Sequence, residues 1–146
     1  MPNIKYIGKN LFIEKLSVGR IAKKVETPFY IYSENQIKEN YIKFFNTFKK
    51  VKPLVCFSAK SNSNLSILRS LGKLGAGIDV VSIGELLKAL KAGIKANKIV
   101  FSGVGKTEEE LKIAINKKIL LINCESESEA RTINKIAKKS NKRVSI

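Results

Sequence analysis

From Leu54 onward, short apolar runs alternate with stretches of helical period, and this alternation constrains the fold more than any other feature of the chain. The runs at residues 54–59, 78–81, 99–102 and 119–123 read as strands, and 143–146 as the opening of a fifth. Between them Ile83, Leu86, Leu87, Leu90 and Ile94 fall on one helical face. Leu111, Ala114 and Ile115 make a second such face, and Ala130, Ile133, Ile136 and Ala137 a third. The junctions give independent support. Ser33 with Gln36, Ser82 with Glu85, Thr107 with Glu110 and Ser126 with Glu129 all have the spacing in which a hydroxyl and a side chain three residues later satisfy the free amides of a helix start. Gly72, Gly75 and Gly93 stand where helices would end.

Strands separated by helices need crossover connections, so the expected architecture is α/β with a parallel sheet. Strand ends recur at a little over twenty residues, a nearly constant spacing that favours equal (β/α) units in a barrel-like succession. A complete eight-unit barrel takes roughly 250 residues. Residues 34–146 hold four units and the start of a fifth, the first half of such a barrel. A half-barrel leaves strand edges unpaired, so the stretch is expected to be the front of a longer polypeptide or to assemble with a partner. Residues 1–33 read differently, as an adapter segment with an edge strand at 11–14, a short helix at 18–25 and an extended stretch at 27–32 leading into a helix over Glu34–Phe48.

Composition narrows the function classes. The net charge of +16 suggests a polyanionic partner, but the positive charge is spread as single lysines over nearly every expected helix without aromatic interleaving, so nucleic-acid binding is not the favoured reading. The longest apolar runs are strand-sized, far short of the ~20 residues of a membrane span, and no secretory signal is evident, so a soluble, cytoplasmic protein is expected. The chain has no histidine, which removes imidazole chemistry from these residues. Its two cysteines, Cys56 and Cys124, lack paired spacing; they are expected to be small core residues, and no metal site is expected.

One short stretch could carry chemistry. In CFSAKSNSN, residues 56–64, a lysine stands where an apolar strand runs out. Strand alternation places Val55, Phe57 and Ala59 on one face and Cys56, Ser58 and Lys60 on the other, so Lys60 is expected to point inward at the carboxyl-end mouth, where barrels of this kind place their chemistry. An amine held there out of water is a nucleophile toward carbonyls. The competing reading is one more solvated charge among 28 basic residues. Asp79, in the next strand with Ile78 and Val80 on the opposite face, also points inward and could pair with Lys60 or a bound cation.

CFSAKSNSN, GAGIDVVSIGEL, KIVFSGVGKTEEEL, INCESESE and TPFYIYS together resemble the amino-terminal part of the diaminopimelate decarboxylases, members of the alanine-racemase-like, barrel-type pyridoxal-phosphate decarboxylases. The similarity runs over almost the whole chain in the same order. It implies that Lys60 is the lysine that binds pyridoxal 5'-phosphate covalently, that Asp79 lies beside that lysine and the cofactor, and that the activity is decarboxylation of meso-diaminopimelate to L-lysine. It further implies a homodimer in the full-length protein, with residues 1–33 packing on a carboxy-terminal β-domain. Glu85 matches a family glutamate, but its capping position with Ser82 accounts for it; Asn62, Asn64 and Ser102 lie at the same mouth with weaker claims. The family's stacking histidine, glycine-rich phosphate loop and ring-nitrogen glutamate would follow Ile146, so this stretch alone is expected to be inactive. An ornithine- or arginine-type decarboxylase and a non-catalytic basic half-barrel that binds a polyanion or a partner chain stay open as alternatives.

Overall fold

The computed structural model describes residues 3–146, so the first two residues of the expected adapter lie outside it. The chain divides into two compact units, Met1–Phe48 and Lys49–Ile146.

The first unit opens with three antiparallel strands in the order β1 (Ile4–Ile7), β2 (Asn10–Ile13) and β3 (Leu16–Ser17). β2 overlaps the strand expected at 11–14, but it is the central strand of three and not an edge. Helix α1 (Val18–Ala22) stops short of the expected residue 25, and residues 27–32 carry neither helix nor strand. Helix α2 (Glu34–Phe48) has the expected bounds. At its start Ser33 Oγ accepts from the Gln36 amide at 3.0 Å, but the Gln36 side chain does not return the bond and engages Asn3 and Asn40 instead. Glu14 in the β2–β3 turn braces this helix start in a different way: its Oε1 accepts from the Ser33 hydroxyl at 2.7 Å and the Asn35 amide at 3.0 Å. Those two bonds, the hydroxyl's first, hold the Glu14 carboxyl below its usual range.

The second unit is a parallel sheet in the order β4 (Cys56–Ser58), β5 (Gly77–Val80), β6 (Ile99–Phe101) and β7 (Leu121–Ile122). It alternates with α3 (Leu65–Lys73), α4 (Ile83–Lys91), α5 (Glu108–Lys117) and α6 (Glu127–Lys139). The register aligns Phe57 with Ile78 and Ile99, and Val80 with Phe101 and Ile122. These side chains form one continuous core with Leu68, Leu86, Leu111, Ile133 and Ile136 from the four helices. The expected fifth strand is not a strand; it is represented by one hydrogen bond, from the Ile122 amide to the Ser145 carbonyl at 3.0 Å. The sheet does not close on itself.

Local chemistry explains most boundaries. Thr107 and Glu110 complete a reciprocal capping box, with bonds of 3.2 and 3.0 Å. Ser82 and Ser126 accept from Glu85 and Glu129 as expected, but the two glutamates reach one residue further back, to the amides of Val81 and Glu125. Gly75 and Gly93 follow their helices at φ +93°, a conformation that favours glycine. Gly72 is not a helix end; it lies inside α3, where a Cβ would collide with Ile94 Cδ1. Leu87 is 50% exposed, and fully buried Ala89 takes its place in the core.

Candidate functional site

The two faces of the parallel sheet differ in kind. Phe57, Ile78, Val80, Ile99, Phe101 and Ile122 pack into the core, whereas Ser58, Asp79, Val100 and Leu121 stand in register across the opposite face, only partly buried. Cys56 lies on this second face, level with Gly77. It is half-buried and not a core residue; burial, and then the negative charge of Asp79, push its thiol pKa up. Cys124 is also half-buried and outside any disulfide, but it packs against the core as expected, and no cluster of residues suited to a metal ion exists among the described residues.

Lys60 lies just beyond the carboxyl end of β4. The strand ends at Ser58, and Ala59–Ser61 form a single 3-10 turn closed by the Ser61 hydroxyl on the Ser58 carbonyl at 2.7 Å. Strand alternation therefore does not extend to Lys60, and the expectation of a partly desolvated, inward strand residue is corrected: Lys60 is exposed. Its amine has no hydrogen bond or ion pair among the described residues, so it does not pair with Asp79. The turn packs against β5, the strand that carries Asp79.

Asp79 sits where the sequence places it, opposite Ser58 on β4 and Val100 on β6. Its Oδ1 accepts from Ser102 Oγ at 2.5 Å, and Ser102 Oγ accepts in turn from Asn123 Nδ2 at 2.8 Å. Three consecutive strand ends thus contribute to one polar chain directed at a carboxylate. Next to it, Ser58 Oγ is buried with no partner among the described residues, a condition that costs free energy unless a ligand or water satisfies it.

The other residues of the motif have structural duties. Asn62 Oδ1 accepts from the Asn64 amide at 3.0 Å, and Asn64 caps α3 by accepting from the Ser66 amide at 2.9 Å. Glu85 accepts from the Val81 amide at 2.8 Å, consistent with its role at the start of α4. Ser102 does join Asp79. Ser58, Asn123 and Lys106 were not anticipated. For Asn123 a signal existed, since it immediately follows β7; for Lys106 none did, because its carboxylate partner Glu129 lies 23 residues further on.

The diaminopimelate decarboxylase of Aquifex aeolicus is 44% identical over 147 residues, spanning 99% of this chain and 34% of the relative. That of Helicobacter pylori is 52% identical over 112 residues, spanning 77% and 28%. The crystal structure of diaminopimelate decarboxylase from M. jannaschii in co-complex with L-lysine superposes with a TM-score of 0.92 at 37% identity, covering 97% of this chain and 34% of that one. The chain therefore spans about a third of the length of the relatives it matches. Residues 34–146 match the pyridoxal binding domain of the pyridoxal-dependent decarboxylases. That match takes in most of the sequence, including every strand of the parallel sheet, and the chain belongs to the pyridoxal-dependent decarboxylase family.

Proposed function

We propose that the chain is the pyridoxal-phosphate-binding part of a cytoplasmic, homodimeric decarboxylase that converts meso-diaminopimelate to L-lysine. In this reading residues 34–146 are the first half of a (β/α)8 barrel, and residues 1–33 are an adapter to a further domain. The substrate is inferred from the identity to diaminopimelate decarboxylases and from a relative solved with L-lysine.

The observation that carries the reading is an amine with no partner among the described residues, just past the end of a strand whose exposed face bears polar groups. Lys60 follows β4 directly, and that face offers the Asp79 carboxylate and the unpaired Ser58 hydroxyl. Spare donors and acceptors beside a free amine suit an aldehyde cofactor with a polar ring, so the residues present fit pyridoxal phosphate. Lys60 would hold it through its amine, while Asp79, kept in place by Ser102, would face it with a fixed negative charge. Bound there, the cofactor would supply an electron sink for the pair left behind when a carboxylate departs.

The test uses the protein as expressed from its own gene. After incubation with pyridoxal phosphate and reduction with borohydride, peptide mass mapping is expected to find a pyridoxyl adduct on Lys60, and carbon dioxide is expected to be released from meso-diaminopimelate in preference to ornithine or arginine. An adduct on scattered surface lysines with none on Lys60 would defeat the assignment.

A further inference from the structure

Lys106 lies in the loop between β6 and α5, and only 2% of its side chain reaches solvent. Its ammonium donates to the Gly103 carbonyl at 2.7 Å, the Asn123 carbonyl at 2.7 Å and Glu129 Oε1 at 2.8 Å, and it lies 5.8 Å from the centre of the Phe101 ring. An ammonium has three protons to give, and all three are given within the chain. Burying such a charge is tolerable only when it is fully paired, and a fully paired lysine has nothing left for a ligand. Its effect must pass through the groups it holds.

Those groups lead to the site. The Asn123 carbonyl belongs to the residue whose side-chain amide donates to Ser102, and Ser102 donates to Asp79. Glu129, the anionic partner of Lys106, uses its other oxygen to accept from the Glu125 amide at 2.9 Å. The segment from Asn123 to Glu125 is therefore fastened at both ends by one buried ion pair. All the side-chain hydrogen bonds beyond it donate in the direction of Asp79.

We propose that Lys106 is a positioning residue for Asp79, acting through Asn123 and Ser102 to fix the orientation of the carboxylate beside the cofactor site. The proposal rests on the reading of Lys60 and Asp79 given above, and a measurement made without cofactor separates the two. In the protein as expressed from its own gene, the side-chain carboxyl carbon resonance of Asp79 is followed by nuclear magnetic resonance in wild type, Lys106→Met and Asn123→Ala. It is expected to shift in both variants; an unmoved resonance in either overturns the proposal whatever happens at Lys60. Pyridoxal phosphate uptake is then titrated in the same variants, with Asp79 intact and with Asp79→Asn. Uptake is expected to weaken by up to about tenfold in each, the upper end for one ordinary hydrogen bond, and by less than about twofold when Asp79 is already asparagine. Equal losses in the two backgrounds would mean that Lys106 supports only the fold, and would overturn the proposal. If Lys106→Met does not fold, Asn123→Ala decides alone, since it removes the donor to Ser102 and leaves the carbonyl that Lys106 holds. A wild-type protein that takes up no cofactor defeats the reading of Lys60 and leaves the resonance measurement to judge Lys106.

Discussion

The two sheets of this chain are held together in different ways. The parallel sheet β4–β7 is backed by a row of fully buried side chains, Ile78, Val80, Ile99, Phe101 and Ile122, with Leu68, Leu86 and Leu111 from the helices sealed against them. The antiparallel sheet β1–β3 has one buried residue, Ile13, and leaves Ile4, Tyr6, Ile7 and Leu16 exposed. In its place stands a polar clasp in which Glu14 takes two donors from the start of α2, while Asn3 Nδ2 donates to Gln36 and Glu39. Apolar burial supplies most of the free energy of folding, so the second unit is built to stand rigid and the first is held mainly by bonds that compete with water. The candidate site lies entirely on the rigid unit.

This contrast can be broken most directly by truncating one aromatic residue in each unit. Phe101→Ala in β6 removes a side chain with no exposed surface and is expected to cost about 3–5 kcal/mol. Tyr6→Ala in β1, where 72% of the residue is exposed, is expected to change stability by no more than about 0.5 kcal/mol. Denaturant titration measures both. A comparable loss at Tyr6 would show that the surface of the first sheet is covered in solution and would remove the contrast.

The next largest effect tests how closely the second unit is packed. A Cβ on Gly77 would stand 2.6 Å from both Cys56 Sγ and the Lys98 carbonyl oxygen, and the latter is main chain that cannot swing away. Gly77→Ala is therefore expected to cost about 1–3 kcal/mol by overpacking. Gly72→Ala meets only the flexible end of Ile94 and is expected to cost less than Gly77→Ala in the same titration. The reverse order would indicate that the main chain around Lys98, next to β5, yields more readily than a core side chain does.

The same difference governs how much of the molecule was legible in the sequence. In the second unit helical and strand periods are set by burial, and burial is written in the order of apolar residues. Ile78 and Val80 against Asp79 read correctly from alternation alone. Alternation failed at Lys60 because the chain turns into a 3-10 segment at Ala59, which no hydrophobic period announces. It failed at Leu87 because a helix offers more apolar positions than its contacts cover. In the first unit the deciding contacts are polar and distant, such as Glu14 with Ser33, and the Ser33–Gln36 spacing pointed to a reciprocal cap of which only the Ser33 half forms, with Glu14 bonding the Ser33 hydroxyl and the Asn35 amide. Lys106 was hidden for the same reason, as one lysine among many until the fold brings Glu129 to it.

The smallest expected effect concerns that clasp and is read through pH. Hydrogen bonds from the Ser33 hydroxyl and the Asn35 amide lower the Glu14 pKa from 4.5, so the folded state favours the charged carboxylate more than the unfolded state does. The sign follows directly: the stabilisation is present above the unfolded value and is lost as pH falls through the lower, folded one. Glu14→Gln keeps an oxygen that can accept both bonds and removes only the charge. Thermal unfolding near pH 7 should therefore find the glutamine variant slightly less stable than wild type, and the gap should narrow as pH is lowered below 4.5 toward 3 and Glu14 begins to take up a proton. Asn35 and Ser33 are at the start of α2, where a negative charge also meets the positive end of the helix, so the gap at neutral pH should shrink as salt is added. A gap that is equally large at both pH values would mean that the shape of the side chain, and not its charge, closes the clasp.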